Sequence, residues 1–201
     1  MSSRRLVWLI IILSALAIYF PINRFAQGGV QLILPADYLI PLVPPAIVPY
    51  LLGNLLFVAL PIWAARNVME IEFETYVISI LLATAVAYAT YLVFPTFVTR
   101  PEIVSQDFFS RAIAMLYEVD QLHNAAPSGH TFYTLLSFLY LRRWKRRFQP
   151  VWLILTILIL ASTLLTRQHY VLDVVCGLAL GIVAYTAGIL AGRKWKPRFA
   201  T

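Results

Sequence analysis

Apolar residues run along this chain in blocks of about 20, the length at which a helix crosses a bilayer. The first block, Leu6–Phe20, follows Arg4 and Arg5. It has the charge and hydropathy of a signal peptide, but Pro21–Ala26 offers no Ala-x-Ala cleavage site, so an uncleaved first span is preferred. Residues Gly28–Pro45 are apolar but broken by Pro35, Pro41, Pro44 and Pro45. No regular spanning helix tolerates that many prolines. This segment is expected to lie in or dip into the membrane interface, where it could border a lipid entrance. The second span is expected from about Pro45 to Ala65 and the third from about Thr75 to Phe94.

Pro95–Pro127 is the longest connection that contains polar residues. Within it, Asp107–Tyr117 can form a short helix with Phe108, Ala112 and Leu116 on one face, suited to the membrane surface. The fourth span begins near Pro127 and ends at Leu141, short for a bilayer unless Arg142 and Arg143 snorkel. Val151–Thr166 and Leu172–Ala191 make the fifth and sixth. The expectation is a single domain over 1–201: an all-α, polytopic membrane bundle. It has six transmembrane helices and a short interfacial helix between spans 3 and 4.

Composition agrees, with 61% hydrophobic and 12% charged residues. The net charge of +7 would suggest nucleic acid in a soluble protein. Here it reads as topology, because basic residues collect in cytoplasmic loops. Twelve of the sixteen Lys and Arg fall at the N-terminus, after span 2, after span 4 and in the tail Gly192–Thr201. The other side keeps only Arg24, Arg100, Arg111 and Arg167. Both termini are therefore expected to be cytoplasmic. The basic cluster Arg142–Arg147 is read as a topology determinant, with no nucleic-acid partner. The single cysteine, Cys176, cannot form an internal disulfide.

That topology puts three polar stretches on one non-cytoplasmic face: Arg100-Pro101, Pro127-Ser128-Gly129-His130 and Arg167–Asp173. Pro127 suits the first turn of a helix, Ser128 can cap it, and Gly129 lets a ligand approach the backbone. Helix N-termini attract anions. Arg100 and Arg167 can fork onto phosphate oxygens, with backbone N–H groups near Ser128 and Gly129 as further donors. His169 and Asp173, four residues apart, share a face on or entering a helix. Asp173 can hold one imidazole nitrogen and leave the other as a nucleophile. His130 can protonate the departing alkoxide. Asp120 and Asn124 brace the loop or touch substrate, and His123 lies outside these motifs. No third histidine or cysteine stands at zinc-ligand spacing, so no metal and no cofactor are expected.

The chain resembles the type 2 phosphatidic acid phosphatase superfamily over about residues 45–190. Pro127–His130 reproduces its second motif, Arg100-Pro101 part of the first, and His169 with Asp173 part of the third. The first motif's lysine position is Val93, and the third motif's Ser-Arg position reads Ser162-Thr163. This variant is similar to the branch with inositol phosphorylceramide and sphingomyelin synthases. The resemblance implies catalytic His169, His130 and Asp173, and phosphate-binding Arg100, Arg167, Ser128 and Gly129. The implied activity is a metal-independent membrane lipid phosphatase. It would cleave a phospholipid or polyprenyl phosphomonoester or diphosphate through phosphohistidine at the non-cytoplasmic face, of the cell or inner membrane in a prokaryote. A phosphotransferase passing a phospho-headgroup to a lipid or polyol hydroxyl is the alternative. A silent scaffold, channel or transporter is the remaining one.

Overall fold

The computed structural model describes residues 1–194, with side chains through 192. Seven α-helices and no strands are present among the described residues: α1 (Ser3–Phe25), α2 (Ile47–Asn67), α3 (Glu70–Val93), α4 (Phe108–Val119), α5 (Gly129–Trp144), α6 (Gln149–Leu165) and α7 (Val171–Lys194). The tail's basic side chains, Arg193, Lys194, Lys196 and Arg198, lie outside the described residues.

α3 is the axis of the bundle and packs on α1, α5 and α7. Its buried residues Phe73, Tyr76, Val77, Ile80, Ala83, Ala87 and Tyr91 recur at three- and four-residue intervals, one continuous stripe. It starts at Glu70, five residues before the expected start at about Thr75. Glu70 and Glu72 suit the positive end of a helix. Buried Glu74 meets the Arg4 guanidinium at 2.6 Å. Arg143 pairs with Glu72 at 2.7 Å. The start of α1, the α2–α3 turn and the end of α5 therefore meet at one end of the bundle.

Among the described residues, five helical segments are long and apolar enough to cross a membrane, as an integral membrane protein requires: Ser3–Phe25, Pro44–Asn67, Glu70–Val93, Arg146–Leu165 and Val171–Gly192. The sixth expected span, α5, has 16 residues. At ~1.5 Å per residue it reaches ~24 Å against a hydrocarbon core of ~30 Å.

The opposite end is closed by loops. Val30 bridges to Thr96, and Phe97 to His123, as isolated single-pair bridges. Asn23, at the end of α1, accepts from the Gln121 N–H at 2.8 Å and donates to the His123 carbonyl at 2.9 Å. α4 is capped by Asp107, whose carboxylate accepts from the Phe109 and Ser110 N–H groups. Hydrogen bonds from the Ser110 and Ser105 hydroxyls lead the causes that lower that carboxyl to about 2, so the cap stays charged at neutral pH. α4 lays Ile113 against Ile47 and Tyr50.

The proline-broken segment forms two 3-10 turns, Pro35–Leu39 and Pro44–Ala46. It is stapled to the α6–α7 turn. Asp37 accepts from the Leu34 N–H at 2.7 Å and the Val171 N–H at 2.8 Å.

Candidate active site

The α5 turn is built around Ser128, whose Oγ accepts from the Thr131 N–H at 3.3 Å. Pro127 lies one residue before this cap, not in the first helical turn as its ring geometry suggested. A serine cap satisfies an orphan N–H, whereas a leading proline only avoids wasting one. The Pro127 carbonyl accepts from the Tyr91 hydroxyl at 2.6 Å. The Ser128 N–H is donated to the Asp173 carbonyl at 3.0 Å, which joins this turn to the start of α7 and occupies one expected phosphate donor. Gly129 and His130 now head the helix, and their N–H groups have no intrahelical acceptor.

Two glycines mark the packing here. A Cβ on Gly177 would sit 2.7 Å from the Ser128 carbonyl oxygen, so only glycine lets α7 press on this turn. A Cβ on Gly129 would meet nothing nearer than the Tyr91 Oη at 3.9 Å. Packing does not demand that glycine, and it borders a cavity.

His169 stands in the turn between α6 and α7. Its N–H and that of Gln168 both donate to the Thr163 carbonyl, at 3.2 and 3.0 Å, while Arg167 adopts a left-handed φ of 55°. Asp173 is fully buried, and its Oδ2 accepts from the Tyr170 N–H at 2.7 Å. That same oxygen lies 3.7 Å from the His169 Nδ1. Neither Nδ1 nor the other Asp173 oxygen has a hydrogen-bond partner.

His130 and His169 face each other with ring centroids 6.0 Å apart. Both line a cavity of about 310 Å³ among α1, α2, α3, α4 and α5. Its polar end carries the two imidazoles, Gly129, Asn54, Asp120 and Asn124, and its other walls include Leu16, Phe20, Val58 and Val119. No residue of 28–45 lines it. A larger concavity of about 820 Å³ lies at the opposite end among Trp63, Glu72, Arg142, Arg143 and Lys145, and no candidate residue lines it.

The arginines have taken protein partners. Arg100 donates to the Asp120 carbonyl at 2.6 Å, the Gln121 carbonyl at 3.1 Å and the Gln168 side-chain oxygen, and covers the Tyr117 ring. Its buried Nε has no partner. Arg167 Nη1 donates to the carbonyls of Asp37 at 2.7 Å and Ile40 at 3.0 Å. Neither arginine nor Ser128 lines the cavity. Val93, the missing lysine position, ends α3 with 85% exposure. Among the described residues, no group of three His, Cys, Asp or Glu gathers that could hold a metal ion.

Two neighbours of His130 escaped the sequence reading. Asn54 Oδ1 lies 2.6 Å from the His130 Nε2. Tyr50 stacks on the ring at 4.2 Å and donates to Asp120 at 3.3 Å, while Tyr19 donates to the same carboxylate at 2.7 Å. The signal for Asn54 was a lone amide inside an apolar run, expensive to place without a task.

A family model described as PAP2 superfamily matches residues 44–187. Comparisons with curated proteins and with solved structures returned no match.

Proposed function

The chain belongs to the PAP2 superfamily, and from that premise we propose that it is a lipid phosphatase acting through a phosphohistidine. The observation that carries this reading is the pair of imidazoles on one cavity wall, with a buried carboxylate behind only one of them. His169, oriented through Nδ1 by Asp173, attacks phosphorus with its other nitrogen. His130 gives a proton to the leaving oxygen. The Gly129 and His130 N–H groups face the developing charge. Arg167, which does not line the cavity, keeps Nε and Nη2 uncommitted and meets the phosphate only after turning toward it, and Arg100 keeps Nε while fixing the 117–121 backbone and Gln168. The apolar walls take the lipid chain.

The purified protein should release phosphate from micellar lipid phosphomonoesters. Arg167→Ala should lower turnover by about 100- to 1000-fold, the usual effect of removing one charge-assisted transition-state contact. Arg111→Ala should change it little, since Arg111 only donates to the Gln106 carbonyl at an exposed site. Arg100→Ala should lose turnover and thermal stability together, because the loop carbonyls lose their shared donor. Equal loss from Arg111→Ala would reduce the arginines to a general loop field. Absence of phosphate release from every lipid phosphate would remove the enzymatic reading.

The same proposal makes α5 the sixth span and puts both termini in the cytoplasm. Single cysteines at Gln106 and Gln149, in a Cys176→Ala background, should then react with an impermeant thiol reagent from opposite faces. Labelling from one face would overturn the topology.

A further inference from the structure

The end of the bundle opposite the histidines carries a step that the phosphatase reading does not use. α2 and α3, with 21 and 24 residues, reach ~32 and ~36 Å, whereas α5 with 16 stops at ~24 Å. The concavity of about 820 Å³ lies at that step, between the α2–α3 turn and the last turn of α5. Part of its lining is aromatic: Trp63 of α2 and Trp144 of α5 stand with ring centroids 6.1 Å apart. Glu72 fixes this pair in place, accepting from the Trp144 indole N–H at 3.3 Å and from Arg143 Nη2 at 2.7 Å. The rest is basic. Four cations and one carboxylate line the concavity, and Glu72 answers Arg143. Three cations are left over. The exposed side chains of Arg142 and Arg146 make no hydrogen bond or ion pair with the described residues, and Lys145 has the face of the Trp63 ring at 5.7 Å. Their backbone is held. The Lys145 N–H donates to the Leu141 carbonyl at 2.7 Å and the Phe148 N–H to the Lys145 carbonyl at 3.0 Å, so one 3-10 turn, Arg146–Phe148, joins α5 to α6 and keeps the three cations together.

A topology signal needs positive charge in a loop, but it needs neither a concavity nor an indole pair beneath that charge. Like charges gathered without a counter-ion repel one another, so the cluster favours an anion. We propose that this step binds the headgroup of an anionic phospholipid from the leaflet at that end of the bundle. The lipid phosphate meets the Arg142 and Arg146 guanidinium groups and the Lys145 ammonium. The indoles of Trp63 and Trp144 take the region where headgroup gives way to chain, the level such rings prefer. The short α5 explains the position. A span below the thickness of the hydrocarbon core draws the headgroup layer inward, and here it draws it onto the cations. A free phosphate ion finds the cations but gains nothing from the indoles. A zwitterionic lipid brings a cation of its own against three others. The site is separate from the histidine cavity and holds whatever reaction occurs there.

The test is a ratio of bound lipids. The full chain is purified in neutral-detergent micelles holding equal amounts of phosphatidylglycerol and phosphatidylcholine, and the two lipid adducts are counted by native mass spectrometry. Each cation near a lipid surface contributes roughly a fivefold preference for negative charge, so wild type should favour phosphatidylglycerol by at least about tenfold. Arg142→Gln alone should lower the ratio by roughly fivefold, and the triple variant Arg142→Gln, Lys145→Gln, Arg146→Gln should bring it near one. All three side chains are exposed, so these changes should leave the fold intact, and the single variant serves if the triple one does not fold. Arg66→Gln with Arg147→Gln removes two exposed cations from the same end but outside the concavity and should keep most of the preference. An equal loss from that pair would reduce the effect to the net charge of the end and overturns the site. An undiminished ratio in the triple variant would put the lipid elsewhere, the histidine cavity included, and overturns it too. So does a wild type without preference, or displacement of phosphatidylglycerol by excess inorganic phosphate, which would make this a site for a free anion.

Discussion

His169→Ala should be inactive on every phosphate ester, whatever its leaving group. The expected fall is about 10⁵- to 10⁶-fold, comparable with removing the nucleophile from other covalent enzymes. The reason is the environment of this histidine. Its Nδ1 faces a carboxylate at 3.7 Å, and that carboxylate has one oxygen anchored by the Tyr170 N–H and one without a partner. An orienting acid behind one nitrogen leaves the other as the only attacking atom. Among the described residues no second imidazole is so braced. His130 instead meets an amide oxygen from Asn54 and the face of Tyr50. Quenching wild-type protein during turnover of labelled substrate should therefore trap an acid-labile, base-stable phosphoenzyme, absent from His169→Ala. Asp173→Asn should retain a trace of label with turnover down by about 10⁴-fold, because the amide stabilises the wrong imidazole tautomer. Label persisting in His169→Ala would move the nucleophile elsewhere.

The parts of this site that were legible in the sequence are those set by local geometry. Ser128 caps its helix because a hydroxyl at that position reaches an N–H three residues on. His169 and Asp173 approach because four residues entering α7 bring them to one side. The all-helical outline followed from hydropathy and proline for the same reason. What was illegible depended on distant partners. The third span reads as starting near Thr75, and its start at Glu70 depends on Arg4, which arrives from α1 to pair with Glu74. Arg100 and Arg167 read as phosphate ligands by residue type, yet each binds backbone carbonyls from loops far along the chain. A guanidinium has five donors, and a sequence does not say how many a loop will take. Asn54 was visible only as an anomaly, since its partner is 76 positions away.

His130→Ala should be severely impaired on an alkyl phosphate and regain part of its rate on an aryl phosphate. A general acid contributes about 10²- to 10⁴-fold when the leaving oxygen must be protonated, and much less when it departs as a stable anion. An alkoxide needs that proton, whereas p-nitrophenolate does not. The proposed role requires His130 to stand beside the nucleophile. It shares the cavity wall with His169, at 6.0 Å between ring centroids, so both rings can touch one phosphoryl group from different sides. Its ring is held by Asn54 Oδ1 at 2.6 Å and by stacking on Tyr50, which fixes its plane without an ion pair. The ratio of His130→Ala to wild-type turnover should therefore rise by at least tenfold from alkyl to aryl substrate, while the same ratio for His169→Ala stays flat. Phosphoenzyme should still form in His130→Ala with the aryl substrate and accumulate, because the missing base also slows attack by water. Equal recovery of both histidine variants on the aryl phosphate would exchange or dissolve these roles while leaving the cavity and its residues in place.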